Sequence, residues 1–351
     1  MTSLSLGNPL GLNGFEFVEF TGPDISAMAV QLEMMGFVAA SRHRTRDIVR
    51  YKQGTINFLL NNAASPQARD FAEHHGPSAN GMAFRVADAK AAYELALQNG
   101  AVAFDAAQGA LGDNSYVLKG IGGSLLYLVD HDIYTDWIAI PGAADDEHLN
   151  SVGFQVLDHL THNVARGQMR TWSGFYAQIF GFEEQKYFDI KGQATGLFSQ
   201  AMIAPDGKLR IPLNESQDDA SQIEEFLRQY NGEGIQHIAL TTDNIYATVE
   251  KLRARGVKLQ DTIETYYDLV DKRVPGHGED LERLKANRIL IDGAVGDEGI
   301  LLQIFTENTF GPIFFEVIQR KGNQGFGNGN FQALFESIEL DQIRRGVIKV
   351  S

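Results

Sequence analysis

The chain has no cysteine among its 351 residues. That absence excludes disulfides, thiolate catalysis, zinc ribbons and cysteine-ligated iron–sulfur clusters together. Any metal must therefore be held by His, Asp or Glu. No segment approaches about 18 consecutive apolar residues, so nothing reads as a membrane-spanning helix. Positive charge is scarce: 30 Lys and Arg stand against 45 Asp and Glu, a net charge of −15. A negative field of that size disfavours nucleic acid and anionic membrane surfaces as partners. A small anionic substrate stays open, because a bound metal inverts the local field. The opening stretch has no basic region ahead of an apolar one, so it does not read as a secretory signal. A cytoplasmic location is the expectation.

What is present is a repeat. A chain of this length carries about two domains, and one unit recurs four times within it. Each copy begins with a strand-like run, passes through a helix-like stretch, and turns at a glycine into a meander of short apolar runs. The first copy runs from Gly14 to Phe20 and then to Gly36; the second from Gly81 to Val86 and then to Gly100. The third runs from Phe154 to Thr161 and then to Gly181; the fourth from Gly234 to Leu240 and then to Gly256. In the fourth, Asp243 suits an N-cap, Ile245, Val249 and Leu252 share one helix face, and Gly256 suits the turn beyond the C-terminus. Strand, helix and meander give an α+β fold of four βαβββ modules in two pairs. Residues 132–150, rich in Asp and without clear periodicity, separate the pairs. The expected domains are 1–131 and 151–351. A final helix over 330–345 carries Phe331, Leu334, Phe335 and Ile338 on one face.

The first strands differ in one position. Copies three and four place His159 and His237 there, whereas the best alignment of copies one and two gives Phe17 and Phe84. In the last strand of copy four Glu316 stands among apolar neighbours, where copy two has Tyr127. A buried Glu is costly without a partner. Two His and one carboxylate form the triad that holds a divalent metal and leaves coordination positions open, and Fe(II), Mn(II) and Zn(II) fit it about equally. A lone strand His is more often a hydrogen-bonded core residue; two at repeat-equivalent positions shift that balance. His162 completes an HxxH with His159, but on a strand the two point to opposite faces, so it reads as a bystander.

Five runs in order, 157–163, 234–237, 301–305, 315–320 and 325–331, resemble the 4-hydroxyphenylpyruvate dioxygenase family. The resemblance covers essentially the whole chain, including 119–123 and the tail. It implies the vicinal-oxygen-chelate fold, with two barrel-like domains and a metal site only in the second. It implies Fe(II) held by His159, His237 and Glu316, and conversion of 4-hydroxyphenylpyruvate and O2 to homogentisate and CO2 in tyrosine and phenylalanine catabolism. The α-keto acid of the substrate would itself chelate the iron. By the same resemblance Ser199, Asn214, Gln222 and Gln303 orient substrate, Gln236 is a lesser pocket residue, and Pro212, Phe305, Phe314, Phe326 and Phe331 wall the phenol ring. The glycines from Gly325 to Gly329 lack the Lys-Ser/Thr of a phosphate loop, and are expected to hinge a helical lid. The family also implies a homo-oligomer, dimer or tetramer.

Three rivals remain at this stage. 4-Hydroxymandelate synthases share substrate, metal and ligands but tend to carry Thr where this chain has Pro212 and Ile where it has Phe331. An extradiol catechol dioxygenase fits the fold but not the tail. A metal-free binding module of the same fold would have lost the triad, which is intact.

Overall fold

Four glycines in the left-handed region punctuate the chain. Gly36, Gly100, Gly181 and Gly256 have φ of +86°, +101°, +73° and +83°. Each follows the helix of one repeat, where a residue without Cβ turns the chain back toward the sheet. The helices they end are Ile25–Met34, Ala89–Gln98, Met169–Phe180 and Ile245–Ala254. Asp24 and Asp88 cap the first two by accepting from the backbone N–H of Ala27 and Ala91. The fourth is capped by Asn244, whose side chain accepts from Ala247, so the cap lies one residue beyond the expected Asp243.

The computed structural model describes residues 7–191, 195–262, 264–327, 329–330, 342–343 and 345–348. The described strands form two eight-stranded sheets. The first contains β1 (Phe15–Thr21), β2 (Val38–Arg42), β3 (Ile48–Gln53), β4 (Ile56–Asn61), β5 (Ser78–Arg85), β6 (Tyr116–Lys119), β7 (Leu125–Val129) and β8 (Ile138–Ala139), in the order 6-7-5-1-4-3-2-8. The second contains β9 (Phe154–Val164), β10 (Glu183–Lys191), β11 (Gly196–Ile203), β12 (Arg210–Ser216), β13 (Gly234–Thr242), β14 (Leu290–Ala294), β15 (Gly299–Phe305) and β16 (Phe314–Lys321). Its order is 10-11-12-9-13-16-15-14.

The sheets follow one plan. In each, the first strands of the two modules pair antiparallel at the centre, β1 with β5 and β9 with β13. Each is flanked by the last strand of its own module, in parallel: β4, β7, β12 and β16. The fold is thus the paired βαβββ arrangement expected from the repeats. The second module is reduced, with an isolated bridge between Ala103 and Leu118 in place of a full strand. Helices Pro66–His75 and Gln222–Tyr230, which the repeat reading did not anticipate, join the two modules of each pair. The stretch 132–150, expected to be irregular, contains β8 and a helix, Ala143–Asn150, with no buried residue. A helix without an apolar stripe leaves no periodicity to read.

Aromatic side chains join the halves. Phe20 meets Phe310 at a ring separation of 5.0 Å, Phe37 meets Phe154 at 6.1 Å, and Phe84 meets Phe180 at 5.4 Å. The expected final helix falls outside the described residues, apart from Asn330, Gln342, Ile343 and Arg345.

Candidate metal centre

Cross-strand register decides which residues meet. In the second sheet His159 stands opposite Ala239, and Ala239 opposite Glu316. Alternate residues of a strand share a face, so His237, two before Ala239, joins them. His159 Nε2 lies 3.1 Å and His237 Nε2 3.4 Å from the same oxygen, Glu316 Oε2. The three offer ligand atoms that all lie within 4.8 Å of one another, and all three side chains are buried. The three residues nominated from sequence are brought together.

The first sheet supplies the contrast. Phe17 stands opposite Ala83, and Ala83 opposite Tyr127. Phe17 and Tyr127 therefore occupy the places of His159 and Glu316. The place of His237 is taken by Gly81, two before Ala83, and not by Phe84 as the sequence alignment suggested. Matching the leading glycines, Gly81 to Gly234, sets Phe84 against His237, three residues from the position that the pairing names.

Both imidazoles are held from behind. His159 Nδ1 bonds Asp158 Oδ2 at 2.8 Å, and His237 Nδ1 bonds Gln236 Oε1 at 2.7 Å. An acceptor at Nδ1 fixes the tautomer that presents the Nε2 lone pair, the arrangement found around metal-bound histidines. Gln236, nominated as a lesser pocket residue, acts behind His237. Asp158 is gripped by Arg320, through Nε at 2.9 Å and Nη2 at 2.7 Å. Arg320 also donates to the carbonyl of Gly325 at 2.6 Å, one residue before Phe326, whose ring lies 5.6 Å from that of His159. Sequence reasoning missed Asp158 and Arg320. The signal was present as a buried acid beside a candidate ligand and a basic residue four positions after another.

The charges are interdependent. Burial pushes His159 down, but the carboxylates of Glu316 and Asp158 outweigh it and the net shift is upward. Burial pushes His237 down, and that effect prevails. Burial would raise Glu316, yet the two imidazoles hold it down to about 2. Asp158 is held well below the ordinary carboxylate range, because Arg320 and His159 outweigh its burial. The site thus offers two imidazole nitrogens and an ionised carboxylate around one point. That donor set fits a divalent ion with open positions.

A cavity surrounds the point, lined by His159, Thr161, Phe188, Ser199, Ala201, Pro212, His237, Gln303, Phe305, Glu316 and Phe326. Of the residues nominated from sequence, Ser199, Pro212, Gln303, Phe305 and Phe326 reach it. Phe314 stacks on His237, with centroids 5.0 Å apart and planes 17° apart. Asn214 lies opposite Ser199 and is buried, with no hydrogen-bond partner for its Oδ1 among the described residues. Gln222 is half-buried in the first turn of its helix and does not line the cavity. Phe331 lies outside the described residues. Thr161, Phe188 and Ala201 are additions that only the sheet register reveals. His162 faces the other way, with Nε2 2.6 Å from the Tyr176 hydroxyl, as its strand position predicts.

Comparison with known proteins adds a family to this geometry. Residues 6–140 match the model described as hydroxyphenylpyruvate dioxygenase, HPPD, N-terminal. Residues 156–269 match that of the glyoxalase/bleomycin resistance protein/dioxygenase superfamily. A 4-hydroxyphenylpyruvate dioxygenase of Pseudomonas aeruginosa is 59% identical over 351 residues, covering 97% of each chain. The chain belongs to the 4-hydroxyphenylpyruvate dioxygenase family. A relative of that name from Legionella pneumophila is 53% identical over 346 residues, covering 97% of this chain and 98% of its own. Among solved structures, a mutant 4-hydroxymandelate synthase from Streptomyces coelicolor superposes with a TM-score of 0.83 at 25% identity, covering 95% of this chain and 99% of its own. The vicinal-oxygen-chelate fold that the resemblance implied, and with which the βαβββ repeats agree, is the fold of this family. Among the described residues no helix is long and apolar enough to cross a membrane.

Proposed function

We propose that the chain is an Fe(II)-dependent dioxygenase converting 4-hydroxyphenylpyruvate and O2 to homogentisate and CO2. The observation that carries this reading is the buried His159, His237 and Glu316 cluster, set in a cavity walled by Phe305, Phe326 and Pro212. Bound there, Fe(II) would supply open coordination positions for the substrate's α-keto acid and for O2. The chain's own residues do the rest. Asp158 and Gln236 hold the two imidazoles in the tautomer that presents Nε2. Gln303 Nε2 donates to Glu316 Oε1 at 2.6 Å and leaves Oε2 facing the imidazoles. Ser199 offers a hydroxyl in the cavity to orient the substrate, with Asn214 paired opposite it. The aromatic wall keeps water from the reacting centre.

The same reading assigns the metal to 151–351 and makes 1–131 a half without one. Among the described residues, one group of three such ligands is present. It also carries the family expectation of a cytoplasmic dimer or tetramer, which light scattering of the purified protein checks.

The test is anaerobic loading with Fe(II), addition of 4-hydroxyphenylpyruvate and then O2, with the products identified by chromatography and mass spectrometry. Homogentisate with an equal release of CO2 is expected. 4-Hydroxymandelate would leave fold and ligands in place but overturn the assignment of product, for which Pro212 in the cavity wall is the described residue. Absence of both metal uptake and turnover would overturn the enzyme reading.

A further inference from the structure

The Glu316 carboxylate is oriented by Gln303, and a side-chain amide can face either way round, so something must orient Gln303. Asn330 Nδ2 lies 2.9 Å from Gln303 Oε1. Asn330 is fully buried, and its own oxygen lies 2.8 Å from the Tyr266 hydroxyl. That hydroxyl accepts from the Ile291 N–H at 2.8 Å and from Arg273 Nη2 at 2.5 Å. With both lone pairs used, its one hydrogen is left to donate, and Asn330 Oδ1 is the nearer acceptor, the Ile291 carbonyl lying at 3.0 Å. Donor and acceptor accounting then gives every link a direction. Tyr266 donates to Asn330, Asn330 to Gln303, and Gln303 to Glu316 Oε1. The backbone at Gly327 crowds the same amide: a Cβ there would lie 2.2 Å from Gln303 Oε1.

We propose that Asn330 is a positioning residue for the metal-ligating carboxylate. It locks Gln303 with its NH2 toward Glu316, occupies Oε1 through that amide, and reserves Oε2 for the ion. The proposal rests on the metal reading above. It assigns Asn330 and Tyr266 to the site, although neither lines the cavity, and it makes Asn330 a determinant of metal affinity.

The test measures Co(II) binding to the full chain, as a dissociation constant by chelator competition and as a visible absorption spectrum, with the melting temperature of each metal-free protein alongside. Four proteins form a cycle: wild type, Asn330→Ala, Gln303→Ala and the double variant. Loss of partners that orient a ligand costs about 10- to 100-fold in metal affinity. Each single variant is expected to weaken Co(II) binding by that order and to change the spectrum, and the double variant to bind no more weakly than Gln303→Ala. Asn330→Asp, which offers Gln303 only an acceptor, turns the amide round and is expected to bind more weakly than Asn330→Ala. If Asn330→Ala does not fold, Tyr266→Phe breaks the relay one step earlier and is expected to weaken binding in the same direction. Wild-type affinity in Asn330→Ala, or in Tyr266→Phe where that variant replaces it, would overturn the proposal, as would losses that multiply in the double variant. Failure of the wild type to bind Co(II) would instead overturn the metal reading.

Discussion

The two halves carry one scaffold with opposite interiors. In the second, the central positions are His159, His237 and Glu316, with Thr161 donating toward His237 Nε2 at 2.9 Å. In the first, they are Phe17, Gly81 and Tyr127, with Glu19 in the place of Thr161. The rings of Phe17 and Tyr127 lie 5.4 Å apart and fill the space. Glu19 is fully buried. Its Oε1 accepts from Asn61 and Asn80, each at 2.7 Å, and Tyr127 donates to its Oε2 at 3.4 Å. A Cβ at Gly81 would lie 3.0 Å from Glu19 Oε2, so the glutamate uses the room that a ligand at that position needs. One half surrounds a point with groups that want a cation. The other fills the same point with rings and an acid whose burial raises its pKa. The ligand set, and not the sheet, separates them.

The sharpest way to break the comparison is to substitute equivalent positions. Glu316→Ala is expected to abolish Fe(II) uptake and turnover while the protein stays folded, by metal analysis and circular dichroism. Tyr127→Ala, its counterpart, is expected to leave metal stoichiometry unchanged and to cost roughly 3–5 kcal/mol of stability, as large core aromatics do. Equal metal loss in both would show that the halves are not distinct.

Asp158→Asn comes next. It removes a buried charge that two arginines and His159 share. Breaking one partner of a buried pair costs about 3–5 kcal/mol, and a disturbed ligand orientation costs about 10- to 100-fold in metal affinity. Denaturant titration and metal competition read the two separately.

Glu19→Gln sharpens the comparison through pH. A carboxyl whose folded pKa lies above its ordinary 4.5 keeps its proton longer in the folded state. Its contribution to stability is complete below that value and is lost as pH rises toward the raised one. Each unit of displacement amounts to about 1.4 kcal/mol. The wild type is therefore expected to lose stability, relative to Glu19→Gln, as pH climbs through this window, and a constant difference in melting temperature would refute it. The smallest effect is expected from Pro212→Thr in the cavity wall, which should alter the ratio of homogentisate to 4-hydroxymandelate with little change in metal binding or melting temperature.

Much of this was legible in the sequence, for physical reasons that differ by element. The repeat shows because each module needs a turning glycine, and Gly36, Gly100, Gly181 and Gly256 each close the helix of their own copy. His159, His237 and Glu316 show because ionisable groups in apolar strands demand a partner. What did not show depends on register. Matching Gly81 to Gly234 by sequence made Phe84 look equivalent to His237, where the pairing names Gly81. Thr161, Phe188 and Ala201 enter the cavity wall only through strands brought together from distant parts of the chain. Asn330 and Tyr266 lie 64 residues apart, and no local pattern links them. Gln222 was nominated by resemblance alone, and it is not among the residues that line the cavity.

The aromatic seam between the sheets bears on how the molecule folds. Phe310 and Phe315, from the half that carries the triad, are fully buried and pack against Phe20 of the other. Cutting the chain between the halves would bare those rings to water. Apolar surface of that kind promotes association, so neither half is built to stand alone. The whole chain should melt in one cooperative transition. On the proposed function, the half without the triad then serves the other as a permanent cover, and selection can hold its sequence for that service alone.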